Sequence, residues 1–487
     1  MRHWRRNRKE RGRFVVAQMI LLVAAVLILC IASSKALFRV GVPALLIFAA
    51  IGMLFGSDGI GGLWFDNYSF AEQLCTVGLV FIMFSGGFGT KWKAAREVAL
   101  PSVLLSTLGV VVTAGLTGLF CHFVLRIPLL ESLLIGSVLS STDAASVFSI
   151  LRSHKLNLKG GLASLLEVES GSNDPVAYMM TAVLLSFMNP QNVASLPLLL
   201  VRQIGFGLMI GLGVGFVASR LLGRIHFEVI GLYPVLVAAV ALLAFALTDV
   251  IGGNGYLAVY LAGILMGNGR TLRKRSLVRF FDSLSWMMQI LMFFTLGLLC
   301  FPSRIFQVAG LSVAVFLFMT VVARPAVVFA ILSFFRFSTR AKTFVSWVGL
   351  RGAASIVFAI FVATHGAVLE NDIYHIVFFV CLFSMLVQGS LVPMMAKKLD
   401  LLDDQHVNVL QTFSDYGEEI TANLREVRID EAYPWAHKTV AEAGIPDDVL
   451  LVQVRRGEET IIPNGATELL PGDVLILSGD DFSEVPG

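Results

Sequence analysis

Glu169-Ser170-Gly171-Ser172-Asn173-Asp174-Pro175 lies inside an otherwise apolar stretch, residues 161–188. About 20 apolar residues make a helix that crosses a bilayer, and a charge at its centre costs about 2.5–3.5 kcal/mol on insertion scales. Two carboxylates at that depth are therefore candidates for function. Ser170 and Asp174 are four residues apart and share a helix face, and Glu169 and Asn173 share the neighbouring one. Pro175 has no backbone N–H and crowds the carbonyl four residues back. Carboxylate, hydroxyl and carbonyl oxygens thus gather near mid-membrane, a donor set that suits hard cations.

The rest of the chain supplies the membrane. Of its 487 residues 56% are hydrophobic and 15% charged, with a mean hydropathy of +0.79. A soluble domain is about 25% charged, so this composition excludes an ordinary soluble globule. Thirteen stretches can span: 14–33, 37–55, 70–88, 100–125, 128–151, 161–188, 196–221, 229–249, 252–268, 283–301, 305–335, 343–363 and 372–396. Loops after odd-numbered spans carry 20 Lys and Arg and those after even-numbered spans carry 3, which puts odd span ends and the C-terminal tail in the cytoplasm of a cell whose inner (plasma) membrane holds the chain. The basic arm 1–13 disagrees with that rule, because thirteen spans place it outside. Cys30, Cys75, Cys121, Cys300 and Cys381 are scattered through apolar runs and read as packing residues, not as a disulfide set or a metal site.

Four acids lie at depth: Asp143, Glu167, Glu169 and Asp174. Asp143 stands in Ser140-Ser141-Thr142-Asp143-Ala144-Ala145-Ser146, where hydroxyls and small residues in mid-span suggest an unwound helix whose freed carbonyls face an ion. Two arginines match the acids, Arg351 in Gly349-Leu350-Arg351-Gly352 and Arg324 before Pro325. Buried arginine needs a partner, and Glu169 with Arg351 is the preferred structural pair. Asp143-Ala144-Ala145-Ser146 also echoes Gly352-Ala353-Ala354-Ser355 in a span of opposite orientation, as inverted repeats do.

The order Ser-Thr-Asp, Glu-Ser-x-x-Asn-Asp-Pro, Gly-x-Arg-Gly resembles the NhaP-type monovalent cation–proton antiporters, and most the bacterial potassium/proton antiporters with a cytoplasmic tail. The resemblance implies an all-α polytopic fold of thirteen helices with two crossed, broken helices, a homodimer, and a cation or proton on Asp174. It implies that Thr142, Asp143 and Ser170 complete or support the site, with the monovalent cation at Asp174, Ser170 and Thr142. Asn173 matches the position whose neutrality accompanies electroneutral exchange. Family members often carry an acid in the third span where Ser85 stands here. The transported ions are then K+ (or Na+) and H+, with no cofactor. Low dielectric disfavours the bare Asp174 carboxylate, so proton and cation compete to neutralise it.

Residues 14–398 form the transmembrane domain in this reading, 399–428 a linker, and 429–487 a small cytoplasmic α/β domain. A short helix at 441–445 and strands at 449–454, 459–462 and 474–477 are expected, with turns at Arg456-Gly457, Asn464-Gly465 and Pro471-Gly472. This tail resembles the C-terminal domain of the regulators of potassium conductance, which implies either a small ligand or nucleotide, or a dimerisation module without one. No Gly-x-Gly-x-x-Gly follows a strand, which argues against NAD. No nucleophile elbow, His-Glu-x-x-His or phosphate loop points to an enzyme, and nothing points to nucleic acid. The competing readings are a cation channel gated by the tail and a sodium-selective antiporter of the same fold.

Overall fold

The computed structural model describes residues 21–33, 44–188, 196–269, 274–365, 369–402 and 423–479, apart from positions 22, 155, 226, 432, 447, 448 and 458. The arm 1–13 lies outside them. The chain falls into two units divided after Tyr416.

Every one of the thirteen apolar stretches contains helix. In chain order these are α1 (Val23–Ser33), α2 (Ala44–Phe55), α3 (Tyr68–Gly89), α4 (Ala95–Phe123), α5a (Leu129–Leu139) with α5b (Ala144–Ser153), α6 (Leu162–Met188), α7 (Leu196–Leu222) and α8 (Leu232–Val250). There follow α9 (Gly255–Asn268), α10 (Lys274–Leu299), α11 (Pro302–Leu332), α12a (Thr339–Trp347) with α12b (Ala353–Thr364), and α13 (Ile373–Lys398). The fifth and twelfth spans are each broken in the middle. Helix α10 starts nine residues before the apolar run that announced it, at the polar residues Lys274, Arg275 and Ser276.

Two groups of helices emerge. In one, α9 packs against α3, α7 and α8, and α10 packs against α2 and α3. Gly87, Gly263 and Gly267 let α3 and α9 meet backbone to backbone, because a side chain at any of them would run into main-chain atoms of the other helix. Glycine is used here for close approach, not for unusual dihedrals. In the other group α4 packs on α5a and α6, and α11 on α13. Helices α4, α11 and α13 each contain one π turn, at Leu105–Gly109, Met319–Ala323 and Ser384–Gly389. All five cysteines are buried free thiols. His375 is buried and accepts the Phe301 N–H at Nε2, 3.1 Å away, as a core histidine does.

The tail unit is an antiparallel sheet in the order β1-β6-β3-β4, from β1 (Asn423–Arg428), β3 (Val449–Arg456), β4 (Glu459–Ile461) and β6 (Val474–Gly479). The short strands β2 (Lys438–Thr439) and β5 (Glu468–Leu469) pair separately. Trp435, Val454, Leu475 and Leu477 lie in its core. Two expectations change. Residues 423–428, read as linker, pair with β6 along their whole length. Residues 441–445 form a turn and not a helix. The Glu442 and Ala443 N–H groups both bond to the Thr439 carbonyl at 2.9 Å, then Gly444 adopts φ +65° and Pro446 follows. Five residues are too few to offset helix nucleation, and that exit closes the turn.

Candidate cation-binding site

The two breaks meet. Helix α5a ends at Leu139, and Ser140 to Asp143 bridge to α5b. Helix α12a ends at Trp347, and Val348 to Gly352 bridge to α12b. The Asp143 N–H donates to the Leu350 carbonyl at 2.8 Å, joining the unwound segments. A side chain at Gly352 would strike the Asp143 carboxylate, so only glycine fits at the crossing. The echo noted in the sequence is structural: Asp143 and Gly352 are the N-caps of α5b and α12b.

Four half-helix ends face one another here, and their orphan groups must be satisfied in a dry place. At the end of α5a, Arg351 Nη1 donates to the carbonyls of Ser140 and Ser141, at 3.0 and 2.7 Å. Positive charge at a helix C-terminus is favourable. At the start of α5b, Asp143 Oδ1 accepts the Ser146 N–H at 3.1 Å and Oδ2 accepts its hydroxyl at 2.5 Å. This is an N-cap, with the negative charge where the dipole favours it.

Glu169 does not pair with Arg351 as expected. Arg324 Nη2 stands 2.5 Å from Glu169 Oε1, and both side chains are almost fully buried. The reason is local. Arg351 sits in an unwound segment beside unsatisfied carbonyls, and its donors are needed there. Arg324 is carried by an intact turn of α11 and is spare for the carboxylate.

Helix α6 supplies the remaining residues. Ser170 Oγ donates to the Thr142 carbonyl at 2.9 Å and accepts the Ala144 N–H at 3.0 Å. Asn173 Nδ2 donates to Thr142 Oγ1 at 2.6 Å. Thr142, Ser170 and Asn173 thus form one bonded set that fixes the break to α6. Asp174 Oδ1 accepts the hydroxyl of Ser141. No Lys, Arg or His pairs with Asp174 among the described residues. Pro175 deprives the Gly171 carbonyl of its helical donor, and Asn254, the N-cap of α9, donates to the Pro175 carbonyl at 2.7 Å.

A cavity of about 210 Å³ opens onto this set, and Ser141, Thr142, Asp143, Ser170, Gly171 and Asp174 line one side of it. Ser85 of α3 lines the same cavity. Ser141 was quoted in the sequence as part of a hydroxyl-rich break but not chosen as a site residue; its place next to Asp174 depends on how α5a and α6 pack. The donors are all oxygens. Among the described residues no cluster of three His, Cys, Asp or Glu could hold a transition metal.

Crossed broken helices around a buried carboxylate define a secondary transporter, and comparison with known proteins agrees. Residues 22–398 match the family described as sodium/hydrogen exchanger, transmembrane, and residues 424–481 match the TrkA-C domain. The chain belongs to that exchanger family, a family of cation–proton antiporters. It is 33% identical over 451 residues to the K(+)/H(+) antiporter NhaP2 of Shewanella baltica (strain OS223), covering 91% of this chain and 78% of that protein. It is 36% identical over 384 residues to the K(+)/H(+) antiporter NhaP of Alkalimonas amylolytica, covering 78% and 67%. The solved structure of the sodium proton antiporter MjNhaP1 from Methanocaldococcus jannaschii at pH 8 superposes with a TM-score of 0.70 at 22% identity, covering 79% of this chain and 99% of that one. That likeness concerns the fold.

Proposed function

We propose that the protein exchanges potassium for protons, one for one, at Asp174, by alternating access in a homodimer of the inner membrane with the tail in the cytoplasm. The observation that carries the reading is the charge balance around Asp174. Glu169 is matched by Arg324, Asp143 caps a helix start, and Arg351 caps a helix end. Asp174 is left as a buried carboxylate lining a cavity, held by the hydroxyl of Ser141. A bare carboxylate in such a place costs several kcal/mol, so it needs a proton or a cation. With either bound, the site is neutral and cheap to carry past an apolar barrier. Empty, it is held back, which couples the two fluxes.

Thr142, Asp143 and Ser170 contribute further oxygens at the cavity wall, and Asn173 orients Thr142 without adding charge. The neutral side chain of Asn173 beside Asp174 supports a one-for-one exchange. Potassium is favoured by the names of the relatives at 33–36% identity. Sodium is the second reading, from the Na(+)/H(+) antiporter ApNhaP of Aphanothece halophytica at 26% identity. The tail then regulates transport, by a small ligand or nucleotide or by pairing with a second tail.

The test is proton flux in proteoliposomes with potassium, sodium or rubidium chloride. Cation-driven proton movement is expected with potassium and rubidium, and its loss in Asp174→Asn. Undiminished exchange in that variant would sink the assignment.

A further inference from the structure

The cavity has a second wall that belongs to the other group of helices. Asp282, Ser285 and Gln289 of α10 line it. Their spacing of three and four residues puts them on one helix face. Ser285 is 7% exposed, and its hydroxyl has no hydrogen-bond partner. Leaving a buried hydroxyl unsatisfied is costly. Ser141, Ser146 and Ser170, which line the same cavity, are all hydrogen-bonded. One turn before Ser285, Asp282 is half-buried and within electrostatic reach of Arg152 of α5b, which lines the same cavity. One turn after it, Gln289 adds an amide oxygen. Carboxylate, hydroxyl and amide oxygen follow one another along one face, with the middle one waiting for a partner.

We propose that Asp282, Ser285 and Gln289 form a second cation site on α10, a stop where a partly dehydrated monovalent cation rests before reaching Asp174. It rests on the reading that Asp174 exchanges such a cation. Hard monovalent ions take this donor set. The Arg152 charge offsets Asp282, which keeps the stop weak, and a weak stop releases its ion onward. Because the stop and Asp174 sit on different groups of helices, it sets how readily the ion is captured. The turnover of the loaded site stays with Asp174.

Proton flux against potassium concentration tests this on the full-length protein in proteoliposomes. Asp282→Asn is expected to raise the apparent KM for potassium roughly tenfold, and Ser285→Ala roughly threefold, while Vmax moves less than twofold. Asp282→Glu should recover most of the affinity. Ser285→Ala changes no charge, so its effect cannot come from a long-range field. Near-normal Vmax shows that a variant is folded, and a changed ratio of potassium to sodium KM marks direct ion contact. Unchanged KM in both variants overturns the proposal, and so does a Vmax loss at constant KM. Asp174→Asn in the same assay reports on the exchange reading separately: its flux falls to nothing if that reading holds, whatever α10 does.

Discussion

Glu169 and Asp174 lie five residues apart on one helix, yet they live in opposite conditions. Five residues turn an α-helix by about 140° beyond a full circle, so the two carboxylates point to nearly opposite sides of α6. Glu169 is 1% exposed and set against Arg324. Asp174 is 9% exposed, faces the cavity and holds only a hydroxyl. The same chemical group is an anchor on one face and an exchangeable seat on the other. What separates them is whether the fold has already spent a positive charge on the carboxylate.

Breaking the anchor should have the largest effect. Glu169→Gln or Arg324→Met leaves one buried charge alone and is expected to cost about 3–5 kcal/mol. The double variant should recover much of that, read as thermal unfolding in detergent; equal losses in all three would show that the two side chains do not compensate each other. Gly352→Ala comes next. The added methyl meets the Asp143 carboxylate, and overpacking of this kind costs about 1–3 kcal/mol. If thermal unfolding is unchanged, the crossing is looser than described. Ser141→Ala sharpens the contrast from the other side. It removes a hydrogen bond to a charged group, worth about 1.5–3 kcal/mol, but leaves the anchor intact. The stability loss should stay below that of the anchor variants, while the apparent KM for the cation changes by about tenfold in the flux assay.

The smallest effect is expected in the tail, which repeats the anchor with Asp473 and Arg456. Burial pushes the Asp473 carboxyl up, but hydrogen bonds from Arg456 and the Leu470 N–H outweigh it and hold the group below the usual carboxylate range. A lowered folded-state value stabilises at neutral pH, and the gain is lost as pH falls through that value, below about 3.9. Asp473→Asn should therefore speed amide exchange in Val474–Gly479 at pH 7, and the difference from wild type should shrink in acid. A difference independent of pH would mean that the charge contributes nothing.

Much of the membrane part was legible because the bilayer enforces simple rules. Every apolar run contains helix, eight helices among the described residues are long and apolar enough to cross a membrane, and Ser140-Ser141-Thr142-Asp143 announced the break that the structure places at those residues. The partner of Glu169 was not legible. Arg324 and Arg351 are equally apolar in context, and the choice depends on which one has helix-end carbonyls beside it. Asp282 stands one residue before the apolar run 283–301, so hydropathy leaves it outside the span although α10 begins at Lys274. In the tail, Asn423-Leu424-Arg425-Glu426-Val427-Arg428 carries three charges in six residues and looked like linker. It is an edge strand, and edges tolerate charge.

The π turn at Met319–Ala323 sits directly before Arg324. A π turn holds one residue more than an α turn, and each residue of helix advances the azimuth by about 100°. Because the turn still closes a full circle, the extra residue is absorbed locally and the phase of α11 beyond it is kept, so Arg324 leaves α11 toward Glu169. Val321, within the turn, is 66% exposed. Deleting it is expected to return the turn to plain α-helix at little cost in packing and to leave the Arg324–Glu169 pair in place, whereas deleting a residue from an ordinary turn of the same helix would rotate Arg324 by about 100°.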